Sequence, residues 1–310
     1  MFTWTLIIAC VVLIPAAWAE YPEKPINLIV GFKAGGTSDT VARFLARSLQ
    51  TQLGQPVLVV NKPGGGGTLA ATTVKKSAPD GYNIAVITNT AYTFMPYFMA
   101  MQKKALYSWD DFTHLATVGE IQLAFVGPPS VKNWQDLLAL GRQKGGLSVA
   151  SLSPTTALIT RFIARKEGIS IKSVPFKGGS EAMPALLGGH TDFAVSGGIH
   201  IKYTRAGKMN TLAAFSGDGL AAEPEVPTLR QLGYDIDFGV SLTVSLPKGT
   251  PPEIVQKLEL ALSRAVQEKE YADLMGKLMI PVNFRDAAQT TQYMKNQSVY
   301  SKQLFDFLKQ

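Results

Sequence analysis

The feature that most limits how this chain can fold is a rhythm that occurs twice. Short β-rich runs alternate with amphipathic helical stretches. The first run, residues 26–30, is bounded by Pro25 and Gly31, and a helical pattern with Val41, Phe44, Leu45 and Leu49 on one face follows it. Gly54 ends that helix. A strand over 56–60, a glycine-rich loop over 61–67, a helix over 68–76 and a strand over 83–88 come next. The second round predicts strands at 147–151, 173–176 and 192–196, with helices over 155–167 and 180–187. A β-α-β-α-β order calls for a parallel sheet, because parallel neighbours need a crossover that puts helices on the faces. The chain therefore reads as α/β, with two lobes around a cleft, each a doubly wound sheet flanked by helices. Towards the C-terminus, residues 252–274 read as one long amphipathic helix opened by Pro251-Pro252, and 293–308 as another.

Three strand-to-helix junctions concentrate the residues able to bind something. Gly35-Gly36-Thr37-Ser38-Asp39 lies between the first strand and its helix. Glycines let backbone approach a ligand closely, and the first N–H groups of a helix lack partners within it, so an anion is stabilised there. Thr37 or Ser38 is placed to cap that helix, and Asp39 faces its positive end. Ser151-Leu152-Ser153-Pro154-Thr155-Thr156 offers four hydroxyls at a second junction, and Phe176-Lys177-Gly178-Gly179-Ser180 adds a cation at a third. Each also reads as an ordinary capped turn. The binding reading gains weight because all three follow the C-terminal ends of strands, where open α/β sheets bind ligands.

Composition removes several classes. A chain of 310 residues that is 46% hydrophobic and 17% charged is not disordered, and its length fits about two domains. The net charge of +7 is spread evenly; its densest clusters are pairs such as Lys75-Lys76 and Lys103-Lys104, with no nucleic-acid-binding motif beside them. A mild positive field of this kind suits small anions. No Gly-Lys-Ser/Thr or Gly-x-Gly-x-x-Gly follows the first strand, so no nucleotide cofactor is expected. His114, His190 and His200 lack paired ligand spacing; they read as surface or turn residues, and no metal is expected. A secreted hydrolase is the competing class. Gly178-Gly179-Ser180-Glu181-Ala182 and Gly146-Leu147-Ser148-Val149-Ala150 each fall one glycine short of a nucleophile elbow, and Asp192 and His200 follow Ser180 in hydrolase order.

Residues 1–19 carry no charged side chain, and 2–18 are nearly all apolar. Ala17-Trp18-Ala19 puts small residues where a signal peptidase reads, so residues 1–19 are expected to be a signal peptide cleaved before Glu20; a retained anchor is the alternative. Cys10, the one cysteine, falls inside this segment. The mature chain then carries no thiol, which excludes cysteine catalysis and zinc–thiolate sites and suits an oxidising periplasm.

A series of motifs adds a resemblance. Tyr21-Pro22-Glu23-Lys24-Pro25-Ile26 precedes Gly35-Gly36-Thr37-Ser38-Asp39; Leu53-Gly54-Gln55-Pro56-Val57, Asn61-Lys62-Pro63-Gly64-Gly65-Gly66-Gly67 and Ala78-Pro79-Asp80-Gly81-Tyr82 follow. Val174-Pro175-Phe176-Lys177-Gly178, Leu186-Leu187-Gly188-Gly189, Pro227-Thr228-Leu229 and Pro247-Lys248-Gly249-Thr250-Pro251 complete the series. In this order they resemble the receptors of tripartite tricarboxylate transporters, the Bug family of periplasmic solute-binding proteins. The resemblance implies a periplasmic-binding-protein-like clamshell, and a monomer without cofactor or enzymatic activity. It implies a periplasmic receptor that captures a small organic carboxylate in the inter-lobe cleft and delivers it to a two-subunit inner-membrane permease. Presentation to a sensor kinase stays open, as does the ligand: dicarboxylate, tricarboxylate, amino acid or aromatic acid. One lobe is expected to hold residues 25–118 plus 238–310, the other 119–237. The ligand-binding residues expected are Phe32, Gly35, Gly36, Thr37, Ser38, Asp39, Asn89, Thr90, Ser151, Ser153, Thr155, Thr156, Phe176, Lys177, Gly178, Gly179 and Ser196. The chain departs from the family where Ser153-Pro154-Thr155-Thr156-Ala157-Leu158 replaces a glycine- and serine-rich loop ending in His-Leu. Gly31 stands where proline is common, and Phe176 where tyrosine is frequent.

Overall fold

A computed structural model describes residues 20–101, 105–176 and 178–309. The expected signal peptide and Lys177 lie outside the described residues. Among the described residues, ten strands form two five-stranded sheets. They are β1 (Ile26–Val30), β2 (Val57–Asn61), β3 (Asn83–Thr88), β4 (Phe112–Ile121), β5 (Ala124–Gly127), β6 (Leu147–Ser151), β7 (Ile171–Pro175), β8 (Phe193–Ser196), β9 (Asn210–Ala214) and β10 (Val240–Pro247). The first sheet has the order β2-β1-β3-β10-β4 and the second β7-β6-β8-β5-β9.

Neither sheet is purely parallel, contrary to the simplest reading of the rhythm. β10 runs antiparallel to β3 and β4, and β5 antiparallel to β8 and β9. The reason lies in the crossovers. β5 enters the second sheet directly from β4, with residues 122–123 between them; β10 returns to the first sheet after residues 215–239. Each arrives from the edge that faces the other sheet, so each runs against the parallel strands it joins. It follows that the C-terminal ends of β1 and β3 point the same way as that of β4, towards the second sheet. The C-terminal ends of β6, β7 and β8 point back.

The helices are α1 (Thr37–Leu53), α2 (Thr68–Lys75), α3 (Asn89–Thr93), α4 (Met95–Met101), α5 (Trp134–Lys144), α6 (Pro154–Glu167), α7 (Gly179–Leu187), α8 (Ile201–Thr204), α9 (Pro252–Gln267), α10 (Lys269–Lys277) and α11 (Ala287–Lys309). The single long helix expected over 252–274 is two. Glu268 between them is extended at φ −63°, ψ 136° and accepts the Ser48 hydroxyl. The turn that follows lays Tyr271 under β4, where its hydroxyl donates to the Val118 carbonyl at 2.5 Å. Among the described residues no helix is long and apolar enough to cross a membrane.

Each sheet has its own core. Leu28, Val30, Leu45, Val86, Leu115 and Val244 are fully buried around the first. Phe125 packs at a tilt against Phe193 and Phe215 in the second, with ring centroids 5.5 and 4.4 Å away. Such aromatic clusters bury large apolar areas and account for much of the driving force. α11 touches both halves. Its Thr290 hydroxyl donates to Thr117 of β4 at 3.3 Å, and at its other end Phe307 packs on Phe162 of α6 at 4.6 Å.

Where the chain crosses between sheets, Glu120 is buried at the end of β4. It accepts from Arg285 Nη2 at 2.8 Å, Asn283 Nδ2 at 3.1 Å and the Ser216 hydroxyl at 3.3 Å. A buried carboxylate needs such partners, and these tie one crossover to the other.

Candidate functional site

The junction after β1 is built around Asp39. Its carboxylate is 2% exposed. Oδ2 accepts from the Gly35 N–H at 2.9 Å and Arg43 Nε at 2.8 Å; Oδ1 accepts from Asn61 Nδ2 at 2.9 Å. The same Asn61 amide donates to the Phe32 carbonyl at 3.1 Å, so one side chain holds both ends of the loop. The Arg43 hydrogen bond leads in holding Asp39 well below the usual carboxylate range, at about 2, with the Gly35 N–H and Asn61 assisting against desolvation. Gly35 sits at φ +80°, in the left-handed region that glycine tolerates best.

Gly36, not Thr37 or Ser38, is the N-cap of α1, and no side chain caps it. The two hydroxyl residues expected as caps are the first two residues of the helix. The backbone N–H groups of that first turn are therefore open towards the second sheet. Asp39 is turned back into the loop, so it does not occupy them.

The junction after β6 is closed. Ser153 caps α6, its hydroxyl accepting from Thr156 N at 3.2 Å. Thr156 Oγ1 accepts from the N–H groups of Leu152 at 3.3 Å and Ser153 at 3.1 Å, and it lies 2.8 Å from Ser151 Oγ. Pro154, first in the helix, has no N–H. Three of the four hydroxyls expected to meet a ligand thus satisfy one another. Thr155 is buried beside them.

The junction after β7 sits alongside, because Phe176 N donates to the Ser151 carbonyl at 2.9 Å. It opens α7 with Gly178 as an N-cap that makes no side-chain bond. Ser196, at the end of β8, is buried and accepts from His200 N at 3.2 Å. On the first sheet, Thr90 Oγ1 lies 2.8 Å from Thr88 Oγ1. Asn89 faces inward: its amide donates to the Gly239 carbonyl and accepts from Ser241 N, both at 2.9 Å, which fixes the exit of β3 to the start of β10.

Two histidines differ from their reading as surface residues. His114 is buried, bonded to Ser245 Oγ at 2.8 Å and the Trp109 carbonyl at 3.0 Å, and burial pushes it down to about 4. His200 is 1% exposed and faces Glu223 at 3.4 Å. Asp192 is engaged by Ser148 and Lys144 at the opposite end of β8 from His200, so the order Ser180, Asp192, His200 does not assemble a charge-relay triad. Surface cavities of about 530, 280 and 720 Å³ are lined by other residues, none from these junctions.

Asn61, Glu120 and Arg285 carry roles that sequence reading did not assign. Asn61 alone had a signal: a polar amide ending β2 beside Val30, its partner in register at the end of β1.

Comparison with known proteins gives consistent matches. The family described as "Tripartite tricarboxylate transporter family receptor" matches residues 41–309. Protein BugT of Bordetella pertussis is 33% identical over 272 residues, covering 82% of this chain and 80% of BugT. A TctC solute-binding protein from Polaromonas, solved without ligand, is 29% identical with a TM-score of 0.80, covering 93% of this chain and 99% of that one. MatC from Rhodopseudomonas palustris, solved with bound malate, is 26% identical with a TM-score of 0.73, covering 92% of this chain and all of MatC. The chain belongs to the tripartite tricarboxylate transporter receptors, the Bug family of solute-binding proteins with the two-lobed periplasmic-binding-protein fold.

Proposed function

We propose that this chain is a periplasmic receptor that captures a small organic carboxylate between its two lobes and delivers it to a two-subunit permease of the tripartite tricarboxylate type. The observation that carries this reading is the uncapped start of α1, framed by a carboxylate that orders the loop without occupying it. A ligand carboxylate there accepts from the N–H groups of Thr37 and Ser38, with the helix dipole behind them. Gly35 and Gly36 leave room for it, and Phe32 and Thr90 flank it. The second lobe contributes the open start of α7 at Gly178 and Gly179 together with Lys177, Ser180 and the Phe176 ring. The sheet memberships support a discontinuous first lobe around a continuous second one, with β4 staying in the first sheet up to Ile121 and β10 rejoining it from Val240. MatC, with malate bound, supports the ligand class. Residues 1–19 act as the export signal.

The test is a thermal-shift screen followed by isothermal titration of the purified protein against carboxylates. Ligand at 100 times its Kd should add ~2.7 kcal/mol to stability. One-to-one binding without product formation is the expected result. Silence across the panel, or turnover of an ester, would overturn the reading.

A further inference from the structure

The even spread of charge along the chain conceals a local surplus on the fold. Residues 31–67 carry four cations, Lys33, Arg43, Arg47 and Lys62, against one carboxylate, Asp39. That carboxylate is buried and engaged by Gly35, Arg43 and Asn61. The cage around it also gathers the cations. Arg43 bonds to Asp39 directly, and its side chain is 49% exposed. The Asn61 amide that holds Asp39 also holds the Phe32 carbonyl. Lys62 follows Asn61 and Lys33 follows Phe32, so both lysines leave the backbone at the cage. Lys33 is exposed and Lys62 half-buried. Arg47, one turn further along α1, is exposed and lies over the Phe44 ring at 5.8 Å. Among the described residues Lys33, Arg47 and Lys62 form no ion pair. Towards the far end of α1, Glu268 is taken up by the Ser48 hydroxyl. Topology places the surplus at the mouth of the cleft. The chain leaves the first sheet from β4 and returns in β10, while β2 lies at the other edge in the order β2-β1-β3-β10-β4. At ~4.8 Å per strand, β2 is about 14 Å from β10. The ends of β1 and β2 face the second sheet, so the cage sits on the lip of the first lobe, away from the crossovers. Leu69, 51% exposed, stands on the same lip, its Cβ 3.5 Å from a Cβ placed on Gly64.

We infer that this basic lip is the surface on which the receptor docks to its permease, and that the permease meets it with acidic side chains. The inference rests on the receptor reading above and names a partner surface within it. A small carboxylate seated at the start of α1 does not reach Arg47, which lies ~15 Å along the helix from Thr37. The patch is therefore wider than a ligand needs. An exposed leucine flanked by long cations has the make-up of a protein interface, apolar within and charged at the rim. Rim charges of this kind govern encounter and orientation more than affinity. A partner seated there touches the edge at which the two lobes meet around a ligand.

The test is uptake of a labelled carboxylate, chosen by the titrations above, into cells that carry the native permease and either the unaltered receptor or Lys33→Glu/Lys62→Glu. With ligand at about 100 times Kd, uptake should fall about tenfold, while Kd stays within about twofold and the melting curve is unchanged. Lys33→Arg/Lys62→Arg should keep uptake within about twofold of the unaltered receptor. Full uptake with the charge-reversed receptor would overturn the docking lip and leave the receptor reading standing. Slower ligand association with full uptake at saturation would do the same, and would assign the lysines to steering the ligand. Co-sedimentation of the unaltered receptor with phosphatidylglycerol vesicles, lost on charge reversal, would assign the lip to lipid and also overturn it. If the unaltered receptor binds a carboxylate but supports no uptake, delivery to the permease and the lip fall together. If no carboxylate binds, the receptor reading itself falls.

Discussion

The starts of α1 and α6 occupy equivalent places, each following a parallel strand at the edge that faces the other sheet, yet they are built in opposite ways. α1 has a glycine N-cap with no side-chain bond, and its nearby carboxylate is turned back to Gly35, Arg43 and Asn61. α6 has a serine N-cap in a reciprocal box with Thr156 and a proline in its first turn. A helix start can give its donors to its own side chains or to a ligand, but not to both. Position in an α/β fold marks where binding is feasible. Which groups already hold the first-turn donors decides where it happens.

The sharpest way to break the contrast is to convert one junction into the other. Gly36 is at φ −84°, a conformation any residue adopts, so Gly36→Asp places an internal carboxylate on the α1 donors. Carboxylate affinity should fall at least 100-fold, about 3 kcal/mol, while the melting temperature holds or rises slightly; titration and calorimetry read both. Next in size is Asp39→Ala, which strips acceptors from Gly35, Arg43 and Asn61. It should cost ~1–3 kcal/mol of stability by denaturant unfolding. It should also weaken every carboxylate by a similar factor, because the frame is lost and no ligand contact is.

A matched pair of smaller changes separates the junctions further. Ser153→Ala should lower stability by ~1 kcal/mol and leave affinity within twofold. Thr37→Val should leave stability nearly unchanged and weaken binding by about 1 kcal/mol, the worth of one hydroxyl donor. Equal affinity losses in the two variants would erase the distinction. The smallest effect is in pH. Asp39 titrates at about 2 in the folded protein against an ordinary 3.8. As pH falls, the unfolded chain takes the proton first. The stability from this group is complete above about pH 4 and lost towards pH 2. Stability curves over that range should be flatter in Asp39→Ala than in the unaltered chain.

Much of this was legible in the sequence. Strand-to-helix periodicity located β1 to β3, β6 to β8 and the helices between them, because each segment's apolar face depends on its own residues. Strand direction in β5 and β10 was not legible, since it depends on where the chain has been before it enters the sheet. The loop-ordering role of Asp39 needs Arg43 one turn on and Asn61 at the end of β2, and only the structure brings the second of these to it. The hydroxyls of Ser151, Ser153 and Thr156 misled for a physical reason: a sequence shows which groups can donate, not whether they face one another. Asn89 lies at a strand end, but only the position of Gly239, 150 residues later, turns its amide inward. The break at Glu268 has no proline or glycine to announce it, because a contact with Ser48 of a distant helix helps fix it.

The helix α11 has 23 residues and spans ~34 Å. It begins beside Arg285 and Thr117 at the crossovers and ends with Phe305 on Phe94 and Phe307 on Phe162. A rigid rod fixed at both ends restricts the relative motion of what it joins. Phe94 belongs to the first half of the chain and Phe162 to the second, so the far end of the rod seats on both at once, and any movement that separates Phe94 from Phe162 breaks one of the two ring contacts there.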